Sequence, residues 1–374
     1  MGRRLLAVVG TRAEAVKMAP VIRALAATPG LSCRVLATAQ HRELLDGVLA
    51  TFGIVPDRDL DVMRPDQSLG ELTARLLPAL ERALEDERPD LVLAQGDTTT
   101  VMATALAAFY RRVPFAHVEA GLRTGRLDRP FPEEANRAIV ARLAAVHLAP
   151  TEHARSNLLR EGVPAEHVHV VGNPVVDALL ATLPRADAAK FAPAAGRRLV
   201  FVTTHRREHF GAPLERLCRG LAAIADRPDV ELLLPLHPNP NVAPAVRAAL
   251  GAHPWVRLAP PLGYEDTVAA MAAAALILTD SGGIQEEAPS LGVPVLVLRE
   301  ETERPEGIAA GVARLVGTDA AVIAREAARL LDDPAAHAAM ATAANPYGDG
   351  RSAGRIAAIL AALPLSPGSP GSSG

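Results

Sequence analysis

Short apolar runs alternate with helical stretches along most of this 374-residue chain. A first series covers residues 5–9, 33–37, 91–94, 115–118 and 147–149, and a second series covers residues 199–203, 231–236, 276–279 and 295–298. A strand followed by a helix, repeated many times, is typical of parallel sheets covered by helices. The length of the chain favours two domains over one. The sequence therefore predicts an α/β protein with two doubly wound domains.

Composition limits both the core and the partners. Hydrophobic residues make up 49% of the chain but aromatic residues only 3%, so the core must consist of Ala, Val and Leu, which suits buried parallel strands. The net charge of −3 argues against a nucleic-acid or membrane-surface partner. Cys33 and Cys218 lie far apart in sequence and fit no metal-ligand spacing, so we interpret them as packing residues.

Several stretches predict location and domain limits. The basic start of the chain is followed by an apolar run too short for a secretory leader, and the longest apolar stretch, residues 268–278, is too short to span a membrane. We therefore expect a cytoplasmic protein. Residues 186–198 are rich in Ala and are the expected seam between the domains, and residues 364–374, rich in Pro, Gly and Ser, are expected to be disordered.

Polar residues follow the predicted strands at the same end in both series. These segments are GTR at 10–12, QGDTTT at 95–100, HVE at 117–119, THRRE at 204–208 and DSGG at 280–283. In open α/β sheets, ligands bind beyond the carboxyl ends of the strands. The pattern therefore predicts an active cleft between two domains.

Ser281, Gly282 and Gly283 open a helix directly after a buried strand. Free backbone N–H groups and the helix dipole favour an anion there, and the glycines let a diphosphate approach closely. Glu286 and Glu287 follow one turn later, where they could reach sugar hydroxyls. The alternative is an ordinary helix start with acidic residues in its first turns.

Three strand-end or helix-start carboxylates are candidates for acid–base chemistry: Asp97, Glu119 and Glu133, the last of these followed by Glu134. Carboxylates gathered in a dry cleft raise one another's pKa and become better bases. A capping aspartate and acidic residues at a helix start are the structural alternatives.

Basic side chains lie at the same strand ends. His205 is followed by Arg206 and is a candidate for binding or protonating a phosphate oxygen. Arg12 and Lys17 could add positive charge or could be solvated surface residues. His237, in a proline-rich loop, is either structural or adjacent to the ligand.

Other motifs are missing or ambiguous. Pro20 suggests a kink or a late start in the first helix. The chain has no Walker A sequence, no G-x-G-x-x-G after a strand and no H-E-x-x-H spacing, and the H-x-E at 117–119 lacks the P-C-x-x-C of zinc deaminases. We therefore expect neither a metal nor a nicotinamide cofactor.

Ten sequence blocks follow one another between residues 5 and 360: GTRAEAVKMAPVI, AQHRELLD, QGDTTTVMATALAAFY, HVEAGLRTG, PFPEEANR, TTHRREHFG, LHPNPNV, LTDSGGIQEEAPSLG, TERPEG and NPYGDG. Together they resemble the bacterial non-hydrolysing UDP-N-acetylglucosamine 2-epimerases. Several blocks in one order are far more specific than any single motif.

The resemblance implies a glycosyltransferase-B-like fold, in which two Rossmann-like domains, residues 1–176 and 177–349, hold a UDP-sugar in the cleft between them. A last helix at about residues 350–363 should pack back on the first domain. The family implies a homodimer that needs no metal or nicotinamide cofactor and that serves the synthesis of cell-surface polysaccharide precursors. Its members interconvert the C2 epimers by anti elimination of UDP, a 2-acetamidoglucal intermediate and re-addition of UDP.

The resemblance also assigns roles to residues. Asp97, Glu119 and Glu133 match the catalytic carboxylates, and His205 matches a histidine near the diphosphate. The positions that match substrate-binding residues are Arg12, Lys17, Arg137, Ser281, Gly282, Gly283 and Glu287. The positions linked in some members to a second, activating UDP-N-acetylglucosamine are Gln40, His41, Arg206 and His237.

The chain departs from the family at three places. Ala13 replaces a usual proline, Thr267 stands where many members carry an aromatic residue near the base, and the loop at residues 126–129 differs. Other functions therefore stay open: epimerisation of a UDP-2,3-diacetamido-uronic acid, hydrolysis to free N-acetylmannosamine and UDP, glycosyl transfer to an acceptor, or non-catalytic sensing of a UDP-sugar. The three carboxylates argue against a sensor, because binding an anionic ligand does not require them.

Overall fold

The computed structural model describes residues 2–38, 42–64, 66–204, 211–236 and 242–364. The chain divides into two compact units, each with one parallel sheet. Unit 1 comprises Met1–Ala178 and Gly348–Gly374, and unit 2 comprises Leu179–Tyr347. A search of the described residues finds no helix with both the length and the apolar character needed to cross a membrane.

The strands follow in chain order: β1 (Arg3–Val9), β2 (Leu31–Ala37), β3 (Arg58–Asp59), β4 (Leu91–Gln95), β5 (Phe115–Val118), β6 (Val146–Ala149), β7 (Val168–Val170), β8 (Arg198–Thr203), β9 (Val230–Pro235), β10 (Val256–Ala259), β11 (Leu276–Thr279), β12 (Val295–Val297) and β13 (Ala313–Leu315). Strands β1 to β7 belong to unit 1 and strands β8 to β13 belong to unit 2.

The helices, in chain order, are α1 (Arg12–Ala27), α2 (Arg42–Thr51), α3 (Leu69–Glu87), α4 (Thr99–Tyr110), α5 (Glu133–Leu143), α6 (Glu152–Arg160), α7 (Pro174–Thr182), α8 (Ala212–Ala225), α9 (Ala243–Leu250), α10 (Tyr264–Ala273), α11 (Gly282–Glu287), α12 (Pro305–Ala309), α13 (Ala320–Asp332), α14 (Pro334–Ala341) and α15 (Ser352–Ala362). Short 3₁₀ turns occupy Ala165–His167, Leu183–Arg185, Ala188–Phe191 and Ala288–Leu291.

Both sheets are doubly wound. The strand order is β3-β2-β1-β4-β5-β6-β7 in unit 1 and β10-β9-β8-β11-β12-β13 in unit 2, and neighbouring strands run parallel. In each sheet the chain adds strands outward from the first strand, β1 or β8, in one direction, and then returns to add the remaining strands on the other side of that first strand. The strand order reverses between β1 and β4 in unit 1 and between β8 and β11 in unit 2. Ligands in such sheets bind beyond the carboxyl ends of the strands at this point. The prediction of two parallel-sheet α/β domains is confirmed.

The core of each unit consists of aliphatic side chains, as the composition requires. Every residue of β4 is buried, and so is every residue of β11. Leu, Val and Ala from β1, β4, α3 and α4 form one cluster in unit 1, and Leu, Val and Ile from β8, β9, α8 and α13 form another in unit 2. Because both faces of the central strands are covered, these strands are continuous apolar runs without alternating polar residues.

Helix α15 is held in unit 1 at both of its ends. The Asp177 carboxylate accepts hydrogen bonds from the backbone N–H of Ser352 (3.2 Å) and of Ala353 (2.9 Å), which cap the start of the helix. The Arg3 guanidinium donates to backbone carbonyl oxygens of the last turn, including that of Leu363 at 2.5 Å. Opposite charges therefore lie at the two ends of the helix, each where it favours the helix dipole.

Candidate active site

The loops that follow β1, β4 and β5 emerge side by side, because these three strands are neighbours in the sheet of unit 1. The first of them leads to Arg12, the first residue of α1, and the other two carry Asp97 and Glu119. Helix α5, which begins at Glu133, packs against α4. Arg12, Asp97 and Glu119 are thus brought to one edge of one sheet.

Glu119 is a buried carboxylate with several partners. Its oxygens accept hydrogen bonds from the Lys17 ammonium at 2.7 and 2.8 Å, from Asn173 Nδ2 at 3.2 Å and from the Gln95 side-chain amide. The side chains of Lys17 and Glu119 are only 9% and 3% exposed. The Glu119 backbone has φ of +64°, a left-handed conformation that costs energy for a non-glycine residue and is often found at functional sites.

Asp97 is held by residues of α5. Its Oδ2 atom accepts hydrogen bonds from Arg137, at 2.8 Å from Nε and 2.6 Å from Nη2, and its backbone oxygen accepts one from Asn136 Nδ2 at 2.8 Å. A quarter of the Asp97 side chain is exposed, whereas that of Arg137 is buried. The structure thus places a cation against each of the two carboxylates, which fixes their positions.

The two glutamates that begin α5 differ in environment. Glu134 is buried, and its carboxylate binds Arg137 at 2.9 Å and accepts hydrogen bonds from the backbone N–H of Thr124 and Gly125. Its contacts secure Arg137 and the preceding loop. Glu133 is half-buried and lies one turn before the residues that bind Asp97. Of the two, Glu133 is the one that keeps part of its surface exposed.

Glu14 is a buried acid that the sequence analysis did not single out. Its Oε2 atom accepts hydrogen bonds from the backbone N–H of Gly10 (2.5 Å) and of Thr11 (3.3 Å), and its Oε1 atom accepts one from the Thr98 hydroxyl (2.6 Å). Burial raises the pKa of Glu14 to about 7, and the hydrogen bonds from Thr98 and the backbone only partly oppose that rise. The available signal was the T-x-x-E spacing of Thr11 and Glu14, which is a capping box.

His117 is a second buried group beside the site. Its Nε2 atom lies 2.7 Å from the carbonyl oxygen of Gly96, the residue that precedes Asp97. Burial lowers the pKa of His117 to about 4, so the ring is neutral at physiological pH and donates this hydrogen bond. The contact links the end of β5 to the turn that carries Asp97.

In unit 2, the turn after β11 is built by hydroxyl groups and an arginine. The Ser281 backbone N–H donates to Thr279 Oγ1 at 2.9 Å, and Ser281 makes no side-chain cap on α11. A Cβ atom on Gly282 would lie 2.5 to 2.8 Å from the Arg304 guanidinium, so a side chain there would displace this buried group from its contact with Glu286. A Cβ atom on Gly283 would meet nothing closer than 3.6 Å. The absence of a side chain at Gly283 is therefore not explained by packing, which fits a close approach of ligand.

The two glutamates of α11 have separate tasks. Glu286 is fully buried, and its carboxylate binds the Arg304 Nε atom at 2.7 Å. The expectation that Glu286 reaches sugar hydroxyls is therefore wrong, because it holds the arginine behind the turn. Glu287 receives a hydrogen bond from the Tyr264 hydroxyl at 2.7 Å, and its second oxygen lies on the side of Gly283. Tyr264 orients this carboxylate.

Five of the candidate residues lie outside the described residues: Gln40, His41, His205, Arg206 and His237. Within the described ranges, no group of three or more His, Cys, Asp and Glu side chains is arranged to hold a metal ion.

Comparison with known proteins gives concordant results. The family model described as UDP-N-acetylglucosamine 2-epimerase matches residues 23–361. The UDP-N-acetylglucosamine 2-epimerase of Salmonella typhimurium is 52% identical over 368 residues, which cover 96% of this chain and 98% of that protein. The Escherichia coli K12 enzyme of the same name is 50% identical over 368 residues, with the same coverage of both chains.

Solved structures agree with the sequence comparisons. The UDP-GlcNAc 2-epimerase of Neisseria meningitidis bound to UDP-GlcNAc superposes with a TM-score of 0.92 at 43% identity, covering 96% of this chain and 99% of that one. The enzyme of Methanocaldococcus jannaschii in complex with UDP-GlcNAc and UDP superposes with a TM-score of 0.84 at 33% identity and the same coverage.

Proposed function

The chain belongs to the UDP-N-acetylglucosamine 2-epimerase family, and on that premise we propose that it interconverts UDP-N-acetylglucosamine and UDP-N-acetylmannosamine by inversion at C2. The observation that carries this proposal is the pair of carboxylates at neighbouring strand ends, Asp97 and Glu119, each fixed by a basic side chain. Inversion of an unactivated carbon requires acid–base groups of this kind, whereas binding alone does not.

The reaction that fits these groups is an anti elimination. A carboxylate removes the C2 proton, the electron pair forms a C1–C2 double bond, and the C1–oxygen bond breaks to release UDP with that bond's electrons. The resulting 2-acetamidoglucal is protonated at C2 from the opposite face, and UDP adds back to C1. We assign the proton transfers to Asp97, Glu119 and Glu133, which the resemblance to the family also supports.

Unit 2 supplies the groups that bind UDP as its charge develops. The turn Ser281–Gly283 has no side-chain cap, and Gly283 has no packing reason to lack a side chain. We propose that the diphosphate binds against this turn, assisted by His205, and that Glu287 binds the ribose. Hydrogen bonds to a charged group contribute about 1.5–3 kcal/mol each. Three of them would accelerate the departure of UDP by several powers of ten.

The remaining family roles are part of the same proposal. Arg12 and Lys17 contribute positive charge in unit 1, and Gln40, His41, Arg206 and His237 bind a second, activating UDP-N-acetylglucosamine. We also propose that the enzyme is cytoplasmic, and the resemblance implies that it serves cell-surface polysaccharide synthesis.

A homodimer is supported by apolar side chains on the outside of unit 1. Phe109 and Tyr110, at the end of α4, are 59% and 55% exposed, and Ile139 on the adjoining α5 is also exposed. Exposed apolar clusters of this kind often form contacts between subunits. Light scattering on the wild type and on Phe109→Glu tests this assignment, and a wild-type monomer at micromolar concentration would refute it.

The epimerase proposal is tested by incubating the protein with UDP-N-acetylglucosamine in D2O and following C2 by NMR. We expect UDP-N-acetylmannosamine with deuterium at C2, because the proton that is returned comes from an acid in exchange with solvent. Free N-acetylmannosamine would show hydrolysis. No exchange in the absence of an acceptor would favour transfer or sensing, and turnover of only the diacetamido-uronic acid would change the substrate.

Variants then test the residues. Asp97→Asn, Glu119→Gln and Glu133→Gln should each reduce C2 exchange by orders of magnitude, because each removes a group that carries a proton. UDP binding, measured by calorimetry, should be retained, because the variants leave the proposed diphosphate and ribose contacts of unit 2 intact and remove none of the basic residues of unit 1. Normal exchange in all three variants would remove the assignment of these carboxylates.

A further inference from the structure

Glu14 has no task in the reaction proposed above, yet its contacts lie among the residues that do. It is 2% exposed, and it accepts hydrogen bonds from the turn after β1 and from Thr98, the residue that follows Asp97. Thr98 caps helix α4 with the same hydroxyl oxygen, at 3.3 Å from the backbone N–H of Val101. One side chain thus joins the turn that precedes Arg12 to the turn that carries Asp97.

A helix cap alone does not account for this arrangement. Helices α1 and α3 both begin with a capping box, formed by Thr11 and Glu14 in α1 and by Ser68 and Glu71 in α3. Glu71 is exposed and accepts hydrogen bonds only from the backbone and hydroxyl of Ser68 among the contacts described. Glu14 makes the capping contact and, in addition, reaches the backbone of Gly10 and a hydroxyl 84 residues away. The second capping box therefore provides an internal comparison within the same unit.

Helix α1 makes a second connection of the same type. Lys17, one turn after Glu14, binds Glu119 at the end of β5. The first two turns of α1 are thus bonded to the loop after β4, which neighbours β1, and to the loop after β5, the next strand in the sheet. Movement of α1 would displace both proposed catalytic carboxylates together.

We propose that Glu14 is a positioning residue whose carboxyl group joins the Gly10–Thr11 turn to Thr98 and thereby sets the place of Asp97. The proposal rests on the epimerase function proposed above. It assigns Glu14 no contact with substrate. A displacement of about 1 Å at a reacting group can cost about 100-fold in rate, so a small shift of Asp97 is enough to be measured.

The chemical state of Glu14 decides which variant preserves the connection. Because burial raises its pKa to about 7, the neutral acid is well populated near neutral pH. In that form one oxygen still accepts from the backbone while the O–H group can donate to Thr98. Glutamine has the same shape and the same arrangement of donor and acceptor, so Glu14→Gln should keep the connection. Glu14→Met has a similar length but removes both polar atoms.

The test compares Glu14→Met and Glu14→Gln with Glu71→Met, which removes the matching glutamate of the exposed capping box. The kcat and KM for UDP-N-acetylglucosamine are measured well below the melting temperature of each variant. We expect Glu14→Met to lower kcat by about 10- to 100-fold with KM within about threefold, since Asp97 acts only during the reaction. Glu14→Gln should retain most of the wild-type kcat, and Glu71→Met should leave both constants unchanged.

Three results would overturn the proposal: a wild-type kcat in Glu14→Met, an equal loss in Glu14→Gln and Glu14→Met, or a comparable loss in Glu71→Met. If Glu14→Met does not fold, Thr98→Val and Thr98→Ser take its place. The valine variant should lose kcat and the serine variant should keep it, and equal rates for the two would refute the connection. Failure of the wild type to exchange deuterium at C2 would instead refute the proposed function, whatever the Glu14 variants show.

Discussion

Replacement of Lys17 by methionine should destabilise unit 1 strongly, because it leaves the Glu119 carboxylate buried without its cation. The two side chains are 9% and 3% exposed, and their charged atoms lie 2.7 Å apart. Asn173 and Gln95 still donate hydrogen bonds to the carboxylate, but they carry no charge. Removal of one partner from a buried ion pair typically costs about 3–5 kcal/mol.

The size of this loss can be separated from a simple loss of packing by a double-mutant cycle. Methionine fills most of the space of the lysine side chain, so little cavity is created. In the double variant Lys17→Met with Glu119→Gln, neither charge of this pair remains, and we expect it to be more stable than Lys17→Met alone. The exposed pair of Arg58 and Asp86 is the matched control in the same unit, and Arg58→Met should cost less than about 1 kcal/mol.

Urea unfolding followed by far-UV circular dichroism measures these differences. With an m-value of about 3 kcal/mol per M, the unfolding midpoint of Lys17→Met should fall by about 1–2 M. Loss of less than 1 kcal/mol in Lys17→Met, or a double variant as unstable as the sum of the two single variants, would refute the account of a buried and mutually dependent pair.

Three further predictions concern other parts of the structure. Gly283→Ala should leave the melting temperature nearly unchanged but should weaken UDP binding, measured by calorimetry, about tenfold or more. Gly282→Ala should instead lose about 1–3 kcal/mol of stability, because its Cβ atom would meet the Arg304 guanidinium. Equal effects of the two variants on stability and on binding would contradict the separate roles of the two glycines. The pKa of Glu14 is about 7 in the folded protein and 4.5 for the free acid, so between these values the folded state keeps a proton that the unfolded state has lost. The free energy of unfolding should therefore fall by about 3 kcal/mol as pH rises from 4.5 to 7. Glu14→Gln should flatten that part of the pH–stability curve, and an unchanged slope would show that Glu14 does not titrate there. Asp177→Ala should raise the hydrogen-exchange rates of the first amides of α15 by roughly fivefold, corresponding to loss of a cap worth about 1 kcal/mol, and unchanged exchange would show that the carboxylate does not hold the helix.

The strands that sequence analysis missed share one property. The nine apolar runs all correspond to strands, but β3, β7, β10 and β13 were not predicted, and these four are the edge strands of the two sheets. An edge strand is covered on fewer sides and can be short and polar, so it leaves no apolar run to detect. Central strands were visible in the sequence because burial on both faces forces them to be apolar.

The residues of the site were predictable to the extent that their roles are local. The polar segments could be recognised from the ends of the predicted strands alone, and two of these segments contain Asp97 and Glu119. The partners of these residues come from distant parts of the chain, such as Lys17, 102 residues from Glu119. Likewise, the reason for glycine at position 282 is Arg304, which no local pattern could indicate.

The first helix shows how local signals compete. Pro20 suggested a kink or a late start, yet α1 begins at Arg12 and continues through Pro20 to Ala27. The capping box of Thr11 and Glu14 determines where this helix starts, and its T-x-x-E spacing was present in the sequence. Recognition of that spacing would have excluded the late start suggested by Pro20 and would have drawn attention to Glu14.

Because α15 is bonded to Arg3 on the first strand and to Asp177, the order of synthesis matters for this protein. A ribosome makes β1 before the whole of unit 2 and α15 after it. Unit 2 is a continuous segment and can fold while translation is still under way, whereas unit 1 has to wait in an unfinished state. Chains truncated shortly before position 352 should therefore expose the surface of α1 that α15 covers, and they should aggregate more readily than the full chain.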